Sequence, residues 1–535
     1  MPVWGALVKA GRSRLVAARH DGAAVLMADG YAKAYGKLAV TTVTCGPGLA
    51  NFANALLTAA RAETPLVVFT GETEPHGKGT TQYLDQRRFA QACDAHYHPL
   101  DRLDSLAEDV AEGFYLARTR SQPRIRNLPA QHWGATLQFP RDYRPSSEFL
   151  PPHAPAPRRE LLEDLTRQLA AAKRPVLVAG RGALQAGVRE QLERLGDQVG
   201  ALLATSLLAK GFFDGRPQDV GIAGSFSSAP TERLLAEADF VLGVGASLNF
   251  FTTEGGLLFP QARIARIDSK PHPAAIGVAP GFYLQGDAAQ TVGEFAGALE
   301  RLKAGNTGFR TPATQEVLKS PSGRFERPDD GLDPRALMDA LGRGLPAQAQ
   351  VVIGAGHFWA WPSSYLALPP GGRFHHTAAF GSIGLSLAQG IGAAIACPER
   401  MTVVVEGDGG LLQAIQELHA AAALQLPIVI LVMNDSAFGA DVLKMRWKGR
   451  DPQGANWQSP DFVALARGFG GEGVRLDKEE DLVGALAQAS AYRGPFVIDA
   501  RVSPTTVNES YAKLYQDREN RAPLLRPPAG SAWKR

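Results

Sequence analysis

The stretch VVVEGDGGLLQAIQELHAAAALQLPIVILVMNDSAFG (residues 403–439) decides how this 535-residue chain reads. An apolar run ends at Glu406. Gly407-Asp408-Gly409-Gly410 then turns the chain, and a helical stretch leads to a second apolar run ending at Asn434-Asp435. Strand, helix and strand in that order predict a parallel pair joined by a crossover helix. The runs are apolar at nearly every position, as expected of strands covered by helices on both faces. Ligands of such sheets sit beyond the carboxyl ends of the strands, so Asp408 and Asn434-Asp435 should arrive at one edge. Hard oxygen ligands there suit Mg²⁺, which usually completes its shell with phosphate and water. The glycines permit close backbone approach, and the helix start offers free N–H groups to a phosphate. A GDGG sequence alone reads as a turn; the Asn-Asp pair one strand later makes it a cofactor motif.

The same alternation of strand and helix extends through three segments and predicts an α/β protein with parallel sheets flanked by helices. The length also suggests about three domains. LAVTTVT and TPLVVFTG are strands of the first segment, which spans 1–148. A Pro-rich linker, EFLPPHAPAPR (148–158), leads to a second segment over 159–303 with strands PVLVAG, ADFVLGVG and ARIARID. A polar, turn-rich stretch over 304–330 reads as a second linker. The third segment, 331–519, holds AQVVIGAG, MTVVVEGDGG, LPIVILVMND and GPFVIDARV, and 520–535 reads as a poorly ordered tail. Hydrophobic content of 45% and charged content of 20% are those of an ordinary globular protein. A net charge of +3 without a basic run argues against a nucleic-acid partner. No apolar run reaches the ~18 residues that span a bilayer, and no signal peptide is evident. Cys45, Cys93 and Cys397 lie far apart, make no metal spacing and fit a reducing cytoplasm.

The GDGG–Asn-Asp unit resembles the diphosphate-binding signature of thiamine diphosphate (ThDP) enzymes of the acetolactate synthase, pyruvate decarboxylase and benzoylformate decarboxylase superfamily. The family pattern ends in a pair of asparagines. By that resemblance the Mg²⁺ ligands are Asp408, Asp435 and the Ala437 carbonyl, with Gly407, Gly409 and Gly410 shaping the cofactor turn. Asp435 departs from the usual asparagine and adds a carboxylate. TAAFGSIGLSLAQGIGAAIA (377–396) resembles the segment that cradles the aminopyrimidine. There Gly381 would offer its carbonyl to the 4′-amino group beside Ser382. Ile383 would hold the cofactor bent, unless it is simply core. GAGHFWAW (354–361) lies where relatives contact the diphosphate, which makes His357 a candidate alongside a purely structural role. LVAGRGA, LAKGFF, VGASLNFFTT and RIDSKP resemble the family's central domain. Some relatives bind FAD or ADP there, but GRG is too weak a motif to support either.

The first segment resembles the pyrimidine-binding domain. RHDGAAVLMADGYAKAYGK (19–37) matches a stretch in which a glutamate, here Asp21, hydrogen-bonds N1′ of the pyrimidine. That bond lets the 4′-amino/imino group take the proton from thiazolium C2. The residues themselves read as a helix opening just after a strand, so Asp21 is either this acid or a helix cap. Aspartate is one methylene shorter, and an ångström of misplacement can cost on the order of a hundredfold in rate. TVTCGPGLAN (42–51) resembles the family's TSGPG turn, which brings in Thr44, Gly46, Pro47, Gly48 and Asn51. Thr44 and Cys45 occupy a turn where some relatives carry a catalytic histidine. Leu84 stands where synthases place a pocket glutamine. His76, Lys78, Asp441 and Lys444 could meet an acidic substrate or could be solvated. The family also begins with a strand ahead of the helix matching VWGALVKAG, so the pyrimidine domain is expected to lack its first strand.

The resemblance implies a homodimer or homotetramer whose cofactor lies between the pyrimidine domain of one subunit and the diphosphate domain of another. It implies cleavage or formation of a C–C bond beside the carbonyl of a 2-oxo acid, with an aldehyde or second 2-oxo acid as acceptor. Acetolactate synthase-like carboligation is the first expectation and benzoylformate-type decarboxylation the second. Asp21 and the short N-terminus motivate a third, a ThDP-binding homologue of weak activity.

Overall fold

A computed structural model of the chain describes residues 2–73, 79–135, 143–148, 155–270, 281–302, 308–318, 325–377 and 379–516. Three parallel sheets organise these residues. The first has β1 (Ala39–Thr42), β2 (Leu66–Glu72), β3 (His96–Pro99) and β4 (Arg124–Pro129) in the order β1-β2-β4-β3. The second comprises β5 (Pro175–Ala179), β6 (Leu202–Thr205), β7 (Asp219–Ile222), β8 (Phe240–Val244), β9 (Arg263–Asp268) and β10 (Phe282–Gln285). Its order, β10-β9-β8-β5-β6-β7, is that of a doubly wound dinucleotide-type sheet. The third comprises β11 (Gln350–Ile353), β12 (Arg373–His376), β13 (Thr402–Gly407), β14 (Ile428–Asn434), β15 (Glu472–Arg475) and β16 (Pro495–Arg501). Its order is β12-β11-β13-β14-β16-β15. Every residue of β13 and β14 is buried, as their unbroken Val/Ile/Leu runs require of a sheet with helices on both faces.

One core spans the first and third sheets, which are far apart in sequence. It is centred where the Asp21–Tyr35 helix crosses the Ser386–Ala396 helix. Small residues set that crossing. A Cβ on Gly30 would stand 2.0 Å from the Gln389 carbonyl oxygen, and one on Gly392 would stand 1.9 Å from that of Met27. Backbone therefore meets backbone, which only glycine permits. Beside it, the fully buried Asp29 accepts from Thr64 at 2.5 Å, Gln389 at 2.6 Å and Lys33 at 2.7 Å. A buried carboxylate stays in place when its oxygens are satisfied in this way.

Three expectations are corrected. No strand precedes Asp21: residues 11–20 form no ladder, and Glu417 of the third segment takes the Arg19 N–H instead. Residues 304–330 are more than a linker. Pro312–Leu318 is helical, Phe309 is buried, and Arg310 bonds the Ala201 carbonyl and Asp197 on the central domain. Asp21 does not cap its helix; the cap is His20, whose Nδ1 accepts from the Gly22 N–H at 3.0 Å. His76, Lys78 and the tail lie outside the described residues. The three cysteines are buried and unpaired, and no helix among the described residues is long and apolar enough to cross a membrane.

Candidate functional site

The order of the third sheet fixes where a ligand can sit. From β11 the chain passes to β12 on one side, and from β13 to β14 on the other. Adjacent strands whose connections part in opposite directions open a crevice at their carboxyl ends. The loops bordering it are Gly354–His357 after β11 and Gly407–Gly410 at the end of β13, and the next loop is Asp435–Phe438 after β14.

Asp408 opens the helix after β13, is 1% exposed, and accepts from the Ser459 hydroxyl at 2.9 Å. Asp435, its side chain 5% exposed, lies within hydrogen-bonding reach of the Asp408 carboxyl group. Burial raises the pKa of both, and the Asp408 charge raises that of Asp435 further. Two desolvated carboxylates this close disfavour each other's ionisation unless a cation joins them. Ser436 turns the loop at a left-handed φ of 58°. Ala437 then forms a single antiparallel bridge with Asn456, framed by Trp457 N–H to Ser436 O and Phe438 N–H to Ala455 O. In such a pair the residue's own N–H and C=O point away from the partner strand. The Ala437 N–H bonds the Asp435 carboxylate, so its carbonyl lies on the same side. Two carboxylates and one carbonyl thus converge as hard oxygen donors, the set that suits Mg²⁺.

His357 reaches this loop, with Nε2 3.4 Å from Asp435 Oδ2. Burial lowers its pKa to about 4, so it is a neutral imidazole. A Cβ on Gly439 would collide with both Asp435 and His357, at 2.1 and 2.2 Å, so the pair fits only beside a glycine. The Phe438–Trp457 pair (ring centroids 4.6 Å apart) closes over Gly409. Behind the turn, buried Glu406 accepts from the Ser386 hydroxyl at 2.6 Å and the Gly407 N–H at 3.1 Å, and burial pushes its carboxyl up to about 7.

The N-terminal candidates form a second group. Asn51 Nδ2 donates to Asp21 Oδ2 at 3.1 Å. A Cβ on Gly48 would lie 2.7 Å from Thr44 Cγ2 and 3.2 Å from Asp21 Oδ1, so Asp21, Thr44, Gly48 and Asn51 share one small volume. Gly46 takes a φ of 62° while the Gln82 backbone presses against it, and Cys45 Sγ contacts the Gln82 side chain at 3.7 Å. Pro47 starts the next short helix. Asn54, one turn beyond Asn51, donates to Ser382 Oγ at 2.7 Å and so joins this turn to the Gly381–Ile383 loop. Gly381 is exposed with a φ of 80°, and Ile383 is half-buried. Asp441 is exposed, whereas Lys444 lies over the Tyr515 ring of the last helix.

Sequence reasoning missed Ser459, Gln82 and above all Glu417. Glu417 is fully buried and accepts the Arg19 N–H with both oxygens, at 3.0 and 3.1 Å, and the His20 N–H as well. It pins the backbone just ahead of Asp21 from 398 residues away. No local pattern signals a pairing of that range.

Three domain models of the thiamine pyrophosphate enzyme family match the chain. The N-terminal TPP binding domain matches residues 1–95, the central domain residues 162–295, and the C-terminal TPP binding domain residues 354–500. The chain belongs to this thiamine diphosphate-dependent enzyme family. It is 25% identical over 512 residues to the acetolactate synthase large subunit of Haemophilus influenzae, covering 93% of this chain and 89% of that protein. It is 26% identical over 502 residues to the acetolactate synthase isozyme 3 large subunit of Escherichia coli, covering 91% and 87%. The large subunit of Corynebacterium glutamicum is 26% identical over 521 residues, covering 93% and 82%.

Proposed function

We propose that this protein is a ThDP- and Mg²⁺-dependent enzyme that forms or breaks a C–C bond beside the carbonyl of a 2-oxo acid. The leading chemistry is acetolactate synthase-like carboligation, with an aldehyde or a second 2-oxo acid as acceptor. The observation that carries this reading is the contact of the Asp408 and Asp435 carboxyl groups beside the switch point of the third sheet, with the Ala437 carbonyl on the same side. The names of relatives aligned over more than nine-tenths of the chain support the carboligase branch. When bound, ThDP supplies a nucleophilic carbon and an electron sink. The chain's residues hold and orient it. Asp408, Asp435 and Ala437 take the cation, and His357, Gly407, Gly409 and Gly410 border the diphosphate. The Gly381 carbonyl and Ile383 receive the pyrimidine end, beside Ser382. Asp21 shares a proton with the pyrimidine ring nitrogen, and Asn51 fixes its carboxyl group. Thr44, Gly46, Pro47 and Gly48 form the turn beside it. The two groups belong to one working site in a homodimer or homotetramer, each cofactor bridging two subunits.

Hydrogen–deuterium exchange at C2 of bound ThDP tests this directly. The holoprotein should accelerate exchange over free cofactor, and Asp21→Ala should remove about a hundredfold or more of that gain. No acceleration by the wild type would refute the enzymatic reading. A screen of 2-oxo acids for CO₂ release identifies the substrate. The organic product assigns the branch: a coupled hydroxy-ketone or 2-hydroxy-3-oxo acid marks a carboligase, and the free aldehyde alone marks the benzoylformate-type decarboxylase.

A further inference from the structure

We infer that the Asp408–Asp435 pair gives this chain a divalent-cation site that fills before the diphosphate arrives and without its help. The inference rests on the cofactor reading above and concerns one departure, Asp435 in place of an amide. A hard cation held by one carboxylate and neutral oxygens depends on substrate phosphates for the rest of its charge, and affinity rises with the number of charged ligands. Here the protein alone supplies two carboxylates and a carbonyl. Both carboxylates are buried, and the neighbours that bond them are neutral donors: the Ser459 hydroxyl, the Gly409 N–H and the Ala437 N–H. Among the described residues no lysine or arginine pairs with either one. The nearest basic group is the buried His357 imidazole, 3.4 Å from Asp435. A cation of charge +2 matches this donor set without a phosphate. The second carboxylate has the opposite effect on a polyanionic diphosphate, which it repels until the cation is in place. Binding is therefore ordered, metal first.

The test is a titration of the ThDP-free full-length protein with Mn²⁺, read by electron paramagnetic resonance. Wild type should take up one Mn²⁺ at this site. Asp435→Asn, nearly isosteric, should bind it roughly tenfold more weakly or worse without ThDP, and the gap should narrow once ThDP is present. Asp408→Asn identifies the site. Mn²⁺ that persists in that variant belongs elsewhere, for example to the surface group His98, Asp109 and Glu112. If wild type takes up no Asp408-dependent Mn²⁺ until ThDP is added, the inference is overturned. It is equally overturned if Asp435→Asn, folded by circular dichroism, binds as tightly as wild type. Should Asp435→Asn not fold, the wild-type titration with the Asp408→Asn control decides alone. Failure of ThDP to bind at any metal concentration would instead refute the cofactor reading, and the Mn²⁺ result would still stand.

Discussion

Replacing Gly392 by alanine should loosen the crossing on which the first and third sheets meet. An added Cβ would stand 1.9 Å from the Met27 carbonyl oxygen, 2.7 Å from its carbon and 2.8 Å from the Tyr31 nitrogen. All three are backbone atoms of the facing helix, so no rotamer change relieves the clash. The helices must part by about an ångström, which weakens dispersion contacts along the interface. Overpacking of this kind costs about 1–3 kcal/mol, while alanine's better helix propensity returns about 1 kcal/mol. A backbone clash at 1.9 Å lies at the upper end of that range, so the net loss is about 2 kcal/mol, or a fall of about 4–8 °C in the melting transition of a domain of this size. Differential scanning calorimetry of the full chain measures it. The control is Gly484→Ala. That glycine also lies inside a helix, Asp481–Ala491, but is exposed, with nothing within 4 Å of its added Cβ. There the same substitution should stabilise by up to about 1 kcal/mol. If Gly392→Ala melts at or above wild type, the close crossing is wrong.

Two further outcomes are expected. Glu417→Ala removes the shared acceptor of the Arg19 and His20 N–H groups, at about 1–3 kcal/mol for lost hydrogen bonds to a charged group. Amide hydrogen exchange over 17–22 should then quicken, as read by mass spectrometry, while exchange in the central domain stays unchanged. His375 and His376 are half-buried with their Nε2 atoms shielded from solvent, and their pKa values are pushed down to about 3, chiefly by desolvation. Groups with depressed folded pKa values contribute stability that is present above the unfolded value near 6.5 and lost as pH falls toward the folded one. Each should cost about 2 kcal/mol between neutral pH and pH 5, and His376→Gln should flatten that limb in denaturant melts.

The third sheet was legible because β13 and β14 are apolar at consecutive positions and end in residues of unambiguous chemistry, Asp408 and Asn434-Asp435. The GPG turn was legible for a similar reason: Gly46, Pro47 and Gly48 act locally. Asp21 was harder. The stretch before it reads as a strand, but strand formation needs a partner, and the segment is held by Glu417 instead. Of the two readings of Asp21, the helix cap is excluded by chemistry one residue away, since the His20 imidazole accepts the N–H that an aspartate could take. The helix at Pro312–Leu318 hid in a polar sequence because its anchors, Phe309 and Arg310, precede it and bind the central domain. What escaped the sequence in each case is a contact between distant segments.

The crossing of Asp21–Tyr35 with Ser386–Ala396 also bears on how the chain is made. Asp29 and Gln389, hydrogen-bonded across it, are 360 residues apart. At ribosomal rates of roughly 5–20 residues per second, the first helix waits roughly 20–70 s for its partner to be synthesised. Over that interval its Ala- and Gly-rich face has nothing from the same chain to cover it. The nascent N-terminal third is then the stage most open to aggregation and to capture by chaperones. A ribosome stalled ahead of Ser386 should carry a first domain more susceptible to protease than the same residues in the finished protein.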